Sequence, residues 1–292
     1  MHYIEAKTLL SSTNGMNIYR GCTHGCIYCD SRSVVYGMDH AFEDIAVKEN
    51  ALILLERALQ SKRKKCMIGT GSMSDPYMPL ENKLKMTRKA LELIDRYGFG
   101  VTLITKSDLV LRDIDLLESI NKKAKAVVQI TLTTIDDDLC RILEPNVCPT
   151  SKRIEVLRIL QERGIPTIVW MTPILPYIND TKENINGLLD ACIETGVKGI
   201  IMFGIGMTLR EGNREYYYQA LDQHFPGLRR KYIRQYGNAY QLNSPHNHEL
   251  MTLFHRKCQA HNIMDDPEEC FQYLQEFPEA YHQTSIFDFI DD

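Results

Sequence analysis

Three cysteines fall within eight residues of one another: Cys22, Cys26 and Cys29 in RGCTHGCIYCDSRS. Their C-x3-C-x2-C spacing puts three thiolates on one short loop, enough for three irons of a cubane, and no fourth cysteine stands nearby for the last. Iron–sulfur clusters are held by thiolates, and a cluster short of one protein ligand keeps a coordination position open for another molecule. Gly21 and Gly25 give the loop the backbone freedom to wrap such a cluster, and Tyr28 directly precedes the third cysteine. Zinc is the competing reading. It favours two C-x2-C pairs, or Cys and His pairs at a fixed distance, and neither accompanies this loop. His24 offers a fourth ligand only at the cost of strain, two residues from each neighbouring thiolate.

Other polar residues gather where apolar runs end. GTGSMSDPYMP offers Ser72, Ser74 and Asp75 with free backbone amides, although Asp75 ahead of Pro76 also suits an ordinary turn. Ile104-Thr105-Lys106-Ser107 places a cation at the end of the next run, and Thr131 and Thr133 share a face of the one after by strand alternation. LEP at 143–145 and TPILPYIND at 172–180 mark two further segment ends.

The elements that must hold these residues alternate regularly. Helical periodicity runs over 47–60, 83–97, 113–122, 152–162 and 182–194, and apolar strand candidates over 65–69, 100–105, 126–131, 166–171 and 197–203. With a strand at 15–19 before the cysteine loop, this makes six β/α units. The alternation predicts an α/β fold with a parallel sheet and helices outside it. An open barrel and a doubly wound sheet both satisfy the pattern.

The 292 residues suffice for one large domain with extensions. Nine cysteines, an odd number without an evenly spaced framework, predict free thiols in a reducing cytoplasm. No stretch has the apolar length of a membrane span and no signal sequence opens the chain, so no membrane role is expected. The net charge of −4 hides an uneven distribution. From Met264 onward there are nine acidic residues and no Lys or Arg, leaving 34 basic against 29 acidic residues in the body. Beyond Gly206, basic residues (Arg210, Arg214, Arg229, Arg230, Lys231, Arg234) interleave with tyrosines (Tyr216, Tyr217, Tyr218, Tyr232, Tyr236, Tyr240). Residues 1–206 thus read as a core and 207–292 as an extension. On a helix Arg230 and Arg234 would share a face, with Tyr232 and Tyr236 as stacking surfaces for bases, unless the acidic tail folds over the patch and neutralises it.

In order, YRGCTHGCIYCDSRS, GSMSDPY, ITKSDLVLRDIDLL, TLTTID, LEP and PILPYIND resemble the radical SAM superfamily, in its spore photoproduct lyase-like, DNA repair photolyase-related branch. The resemblance extends over about residues 14–250 and implies a partial (β/α)6 TIM-like barrel with a C-terminal helical extension. It implies a 4Fe-4S cluster on Cys22, Cys26 and Cys29, with S-adenosyl-L-methionine (SAM) on the open iron. SAM contacts would come from Tyr28, Ser72, Ser74, Asp75, Lys106 and Thr131, with Lys106 meeting the carboxylate. An electron donor such as flavodoxin or ferredoxin would reduce the cluster, reductive cleavage would give a 5′-deoxyadenosyl radical, and damaged DNA leads the substrate candidates. The other candidates are a peptide or small metabolite and, from another class, a zinc-stabilised nucleic-acid-binding module. One departure stands out: where spore photoproduct lyase keeps a hydrogen-donor cysteine, Ser72 aligns here. A serine O–H is too strong to replace a thiol, which leaves Cys66 and Cys140 as substitutes.

Overall fold

The computed structural model describes residues 1–278. At its centre lies a parallel sheet of β1 (Gly15–Met16), β2 (Met67–Thr70), β3 (Gly100–Thr105), β4 (Ala126–Thr131), β5 (Thr167–Trp170) and β6 (Gly199–Ile201), each paired to the next in chain order. That order decides between the two architectures. A doubly wound sheet reverses its strand order at a switch point, and this one never does. β1 and β6 do not pair with each other, so the barrel is open.

The crossovers are α1 (Ala51–Ser61), α2 (Met86–Arg96), α3 (Ile114–Lys123), α4 (Asp137–Leu143), α5 (Thr150–Glu162) and α6 (Lys182–Glu194). In α2 the buried residues Thr87, Ala90, Leu91 and Ile94 recur at helical spacing and form the stripe that covers the sheet. Strand β4 (AVVQIT) is buried along its whole length because both of its faces are covered.

Two expected elements are divided differently. Of the strand expected at 15–19, only Gly15–Met16 enters the barrel; Tyr19–Arg20 pairs antiparallel with Ala46–Lys48, which pairs parallel with His2–Ile4. The helix expected from 47 therefore starts at Ala51. Val47 is apolar because it is buried in this accessory sheet, opposite Tyr3 and Tyr19. Helix α4 went unanticipated because seven residues are too few to show a period; the Asp136 side chain starts it by accepting from the Asp138 and Leu139 N–H groups.

After β6 the chain forms the antiparallel pair β7 (Gly206–Thr208) and β8 (Gln241–Asn243), with α7 (Asn213–His224) and α8 (Leu228–Tyr236) between them, then α9 (Asn247–Ala260) and α10 (Pro267–Gln275). Met264 returns to the edge of β6: the Ile200 N–H donates to its carbonyl at 2.8 Å, and its own N–H donates to Lys198 O at 3.1 Å. The acidic stretch thus starts by completing the barrel edge, not by covering the basic helix. Asp265 meets His255 at 2.7 Å, Asp266 caps α10, and α10 packs Cys270 and Leu274 on Val127, Ile168 and Ile201. The acidic residues Glu279, Asp288, Asp291 and Asp292 lie outside the described residues. No described helix is long and apolar enough to cross a membrane.

Candidate active site

The cysteine loop is held from two sides. Gly21 has φ near 90°, and a Cβ there would come within 2.4 Å of the Phe42 carbonyl, so only glycine fits; the Cys22 N–H donates to that same carbonyl at 3.1 Å. Ser74 Oγ, from the loop after β2, donates to Gly21 O at 2.5 Å. On the other side the LEP segment braces the loop. The Ile27 N–H donates to Leu143 O at 3.0 Å, the Asn146 N–H to His24 O at 3.1 Å and Asn146 Nδ2 to Thr23 O at 2.9 Å.

All three cysteines line one cavity of about 860 Å³, and Tyr28, Ser72, Ser74, Asp75, Lys106 and Thr131 line it too. The tertiary structure thus gathers every residue singled out for the site, but their polar groups are not equally free. Asp75 is a clasp: Oδ1 accepts from the Tyr77 N–H at 2.8 Å and Thr105 Oγ1 at 2.7 Å, while Oδ2 accepts from the Lys106 N–H at 2.8 Å and lies 3.4 Å from His24 Nδ1. It ties the loop after β2 to the end of β3 and to the cysteine loop. Ser72 is exposed to the cavity, whereas the Ser74 hydroxyl is spent on Gly21. The Lys106 ammonium lies 5.9 Å from the centre of the Tyr28 ring. Burial alone would lower its pKa, but Cys26 and Glu144 more than offset this and raise it, so the lysine is charged.

The donor set fits a cluster better than a single metal ion. A structural zinc takes four protein ligands, whereas among the described residues the cavity is lined by three cysteines alone, the number that leaves one iron of a cubane open. His24 turns to Asp75 instead of completing a mononuclear site. Burial, helped by the Asp75 carboxylate, pushes the Cys22 thiol up to about 11. Iron bound here would have to displace the proton of the Cys22 thiol, which would couple its binding to pH.

Behind the loop lies a buried network that the sequence reading passed over. Glu144 and Arg153, 0% and 1% exposed, form an ion pair, and Tyr28 Oη donates to the other oxygen of Glu144. Arg153 also donates to Thr131 O at 2.9 Å and Cys148 O at 3.0 Å. Read only as part of a rim motif, Glu144 is the charged anchor of the loop's third-cysteine side; a Glu inside an otherwise apolar LEP stretch was the available signal. Neither substitute thiol reaches the cavity: Cys140 lies between Arg153 and Glu144, Cys66 stands elsewhere, and the three loop cysteines are the cavity's only ones among the described residues.

The basic-aromatic segment separates into two faces. Tyr232 is buried, donating to Pro176 O at 2.6 Å and contacting Tyr217 Oη at 3.0 Å, and Tyr236 Oη donates to Asn243 O at 2.8 Å. These two rings therefore pack α8 onto the protein and do not form the expected stacking surface. Arg229, Arg230, Lys231 and Arg234 remain exposed; Arg229 pairs with Asp222 at 2.6 Å and Lys231 lies 3.4 Å from the centre of the Tyr177 ring.

The fold is thus an open six-stranded β/α barrel whose cavity is lined by three thiols from the loop that follows its first strand. The chain belongs to the radical SAM superfamily, whose profile matches residues 16–189. Among curated proteins it is 34% identical over 169 residues to the uncharacterized protein MJ0683 of Methanocaldococcus jannaschii, covering 57% of this chain and 62% of that one, so it spans less than two thirds of that relative's length. It is 24% identical over 181 residues to the radical SAM Nalpha-GlyT isomerase of Pseudomonas phage M6, covering 62% of this chain and 37% of that protein. Among solved structures it resembles spore photoproduct lyase, with a TM-score of 0.66 at 13% identity, covering 90% of this chain and 80% of that one. That likeness establishes the fold.

Proposed function

We propose that this protein is a radical SAM enzyme that abstracts hydrogen from a nucleotide of DNA, with a 4Fe-4S cluster on Cys22, Cys26 and Cys29 and SAM held among Tyr28, Ser72, Lys106 and Thr131. The observation that carries this reading is the convergence of these residues on one cavity of about 860 Å³, which residues from the ends of β5 and β6 also line. A reduced 4Fe-4S cluster with SAM, when bound there, would supply the radical chemistry for hydrogen abstraction. The chain's own residues do the positioning. Lys106 offers a charged donor to the SAM carboxylate, Asp75 and Ser74 fix the loops, and Glu144 fixes Tyr28. Replacing Lys106 by Ala is expected to weaken SAM binding by about 1.5–3 kcal/mol, the range for a hydrogen bond to a charged group, with iron content unchanged. Equilibrium dialysis with labelled SAM checks this, and unaltered affinity removes Lys106 from the site.

A solved neighbour supports a DNA substrate: spore photoproduct lyase has been solved with AdoMet and a dinucleoside spore photoproduct. Helix α8 carries exposed cations and is tied through Tyr236 to Asn243 of β8, a strand that lines the cavity through Gln241 and Asn243. Arg230 and Arg234, both exposed on α8, are the cations offered to a polyanion. Lyase-type repair would need a hydrogen donor other than Ser72, Cys66 or Cys140. All nine thiols are free, in keeping with a reducing cytoplasm and a flavodoxin- or ferredoxin-type electron donor.

Salt titration tests the substrate. Single-stranded DNA affinity should fall steeply with added salt, and Arg230→Ala with Arg234→Ala should reduce the log–log slope by roughly 1.4, at about 0.7 for each phosphate no longer neutralised. Absence of DNA binding at low salt turns the reading to a peptide or small metabolite.

A further inference from the structure

One wall of the same cavity carries three rings that no cofactor contact requires. Trp170 ends β5, Phe203 follows β6 and Phe271 comes from α10; their centroids are 5.9–6.3 Å apart. Phe203 and Phe271 are stacked at 25°, and their 6.3 Å separation leaves no room for a ring between them. Phe203 is nevertheless 55% exposed, an apolar face turned to the open side of the cavity. A large apolar residue left open in a concave site is suited to covering by a ligand.

The polar partner of this wall is equally constrained. Gln129, 6% exposed, accepts from Trp170 Nε1 at 2.6 Å and donates to Thr102 Oγ1 at 2.8 Å. Both bonds lock the carboxamide and leave one N–H and one lone pair uncommitted. The charged lining residues Asp30, Asp75 and Lys106 belong instead to the cysteine loop and the ends of β2 and β3. The wall thus suits a neutral, planar group with a mixed donor–acceptor edge.

We propose that this wall is a nucleobase subsite: one base, turned out of its strand, stacks on the open face of Phe203 beside Trp170 and presents its edge towards Gln129. The inference rests on the DNA reading above and adds how the base is held. A nucleobase fits better than an aromatic peptide side chain because its edge carries donors and acceptors side by side to meet both the free N–H and the free lone pair of Gln129, which a Phe or Trp ring cannot. Turning a base out costs unpairing in a duplex, so single-stranded DNA binds more tightly than the same sequence paired.

Trp170 is the only tryptophan in the chain, which makes its emission a reporter of this wall. In reconstituted protein under anaerobic conditions, with SAM present, a short single-stranded oligodeoxynucleotide should quench that emission. Anisotropy of the fluorescein-labelled oligonucleotide gives the affinity independently. Phe203→Ala should raise its Kd roughly 5- to 150-fold, the loss expected for one stacked base, whereas Phe203→Tyr should restore binding. Phe203 is exposed, so truncating it leaves the core intact. DNA binding with unchanged Trp170 emission and an unaffected Phe203→Ala variant overturns the subsite while the DNA reading stands. No DNA binding by the unsubstituted protein overturns that reading and the subsite with it. Quenching by SAM alone, with no further change on adding DNA, assigns the wall to the cofactor, and quenching by a tyrosine-containing peptide but not by DNA assigns it to a peptide; either overturns the proposal.

Discussion

Cys26→Ala protein, reconstituted anaerobically and reduced with SAM present, is expected to contain almost no iron and to form no 5′-deoxyadenosine, against about four irons for the unsubstituted chain. Cys26 is the most enclosed of the three loop thiols. With two ligands left on a loop pinned to Phe42 and Leu143, no other described cysteine lines the cavity to take its place. Iron and sulfide assay with product chromatography decides the matter. A variant that keeps its iron and still makes 5′-deoxyadenosine overturns the cluster assignment, and a colourless unsubstituted protein holding one zinc restores the binding-module reading.

The second large effect is expected at Glu144. Glu144→Ala leaves the Arg153 guanidinium buried without its carboxylate, and breaking a buried pair by removing one partner costs about 3–5 kcal/mol. In a domain of this size that corresponds to a fall in Tm on the order of 10 °C. Removing both charges, as Glu144→Met with Arg153→Met, should cost clearly less, because no unpaired charge remains. The contrast is the measurement: if the single and double variants melt together, the pair does not anchor the loop. Acid should act in the same direction. Burial alone would raise the Glu144 carboxyl, but Arg153 and Lys106 more than offset this and hold it below the usual range. Its stabilisation is therefore complete above the ordinary glutamate value of about 4.3 and is lost as pH falls through the lowered one. The unsubstituted protein should show this acid loss and Glu144→Ala should not.

Much of this was legible in the chain. The spacing of Cys22, Cys26 and Cys29 fixes how many irons the loop can hold, because three residues of separation along a chain cannot be undone by folding. The alternation of apolar runs and amphipathic stretches likewise placed five of the six barrel strands nearly where they lie, since a strand buried on both faces must be apolar throughout. The position of Lys106 at the end of β3 followed from the same rule.

Contacts between distant residues were decided only by the tertiary structure. Val47 has the hydrophobicity of a helix face and the environment of a strand, because its partners Tyr3 and Tyr19 lie far away in sequence. Tyr232 and Tyr236 keep helical spacing whether they face solvent or core, and only the position of Pro176 and Asn243 turned them inward. Glu144 and Arg153, nine residues apart, show nothing of their pairing in the sequence, and Phe203 becomes a cavity wall only once α10 brings Phe271 beside it. Residue type and local spacing determine which chemistry is available; burial and partnership depend on the packing of elements remote in the chain, so they determine which of those groups remains free to act.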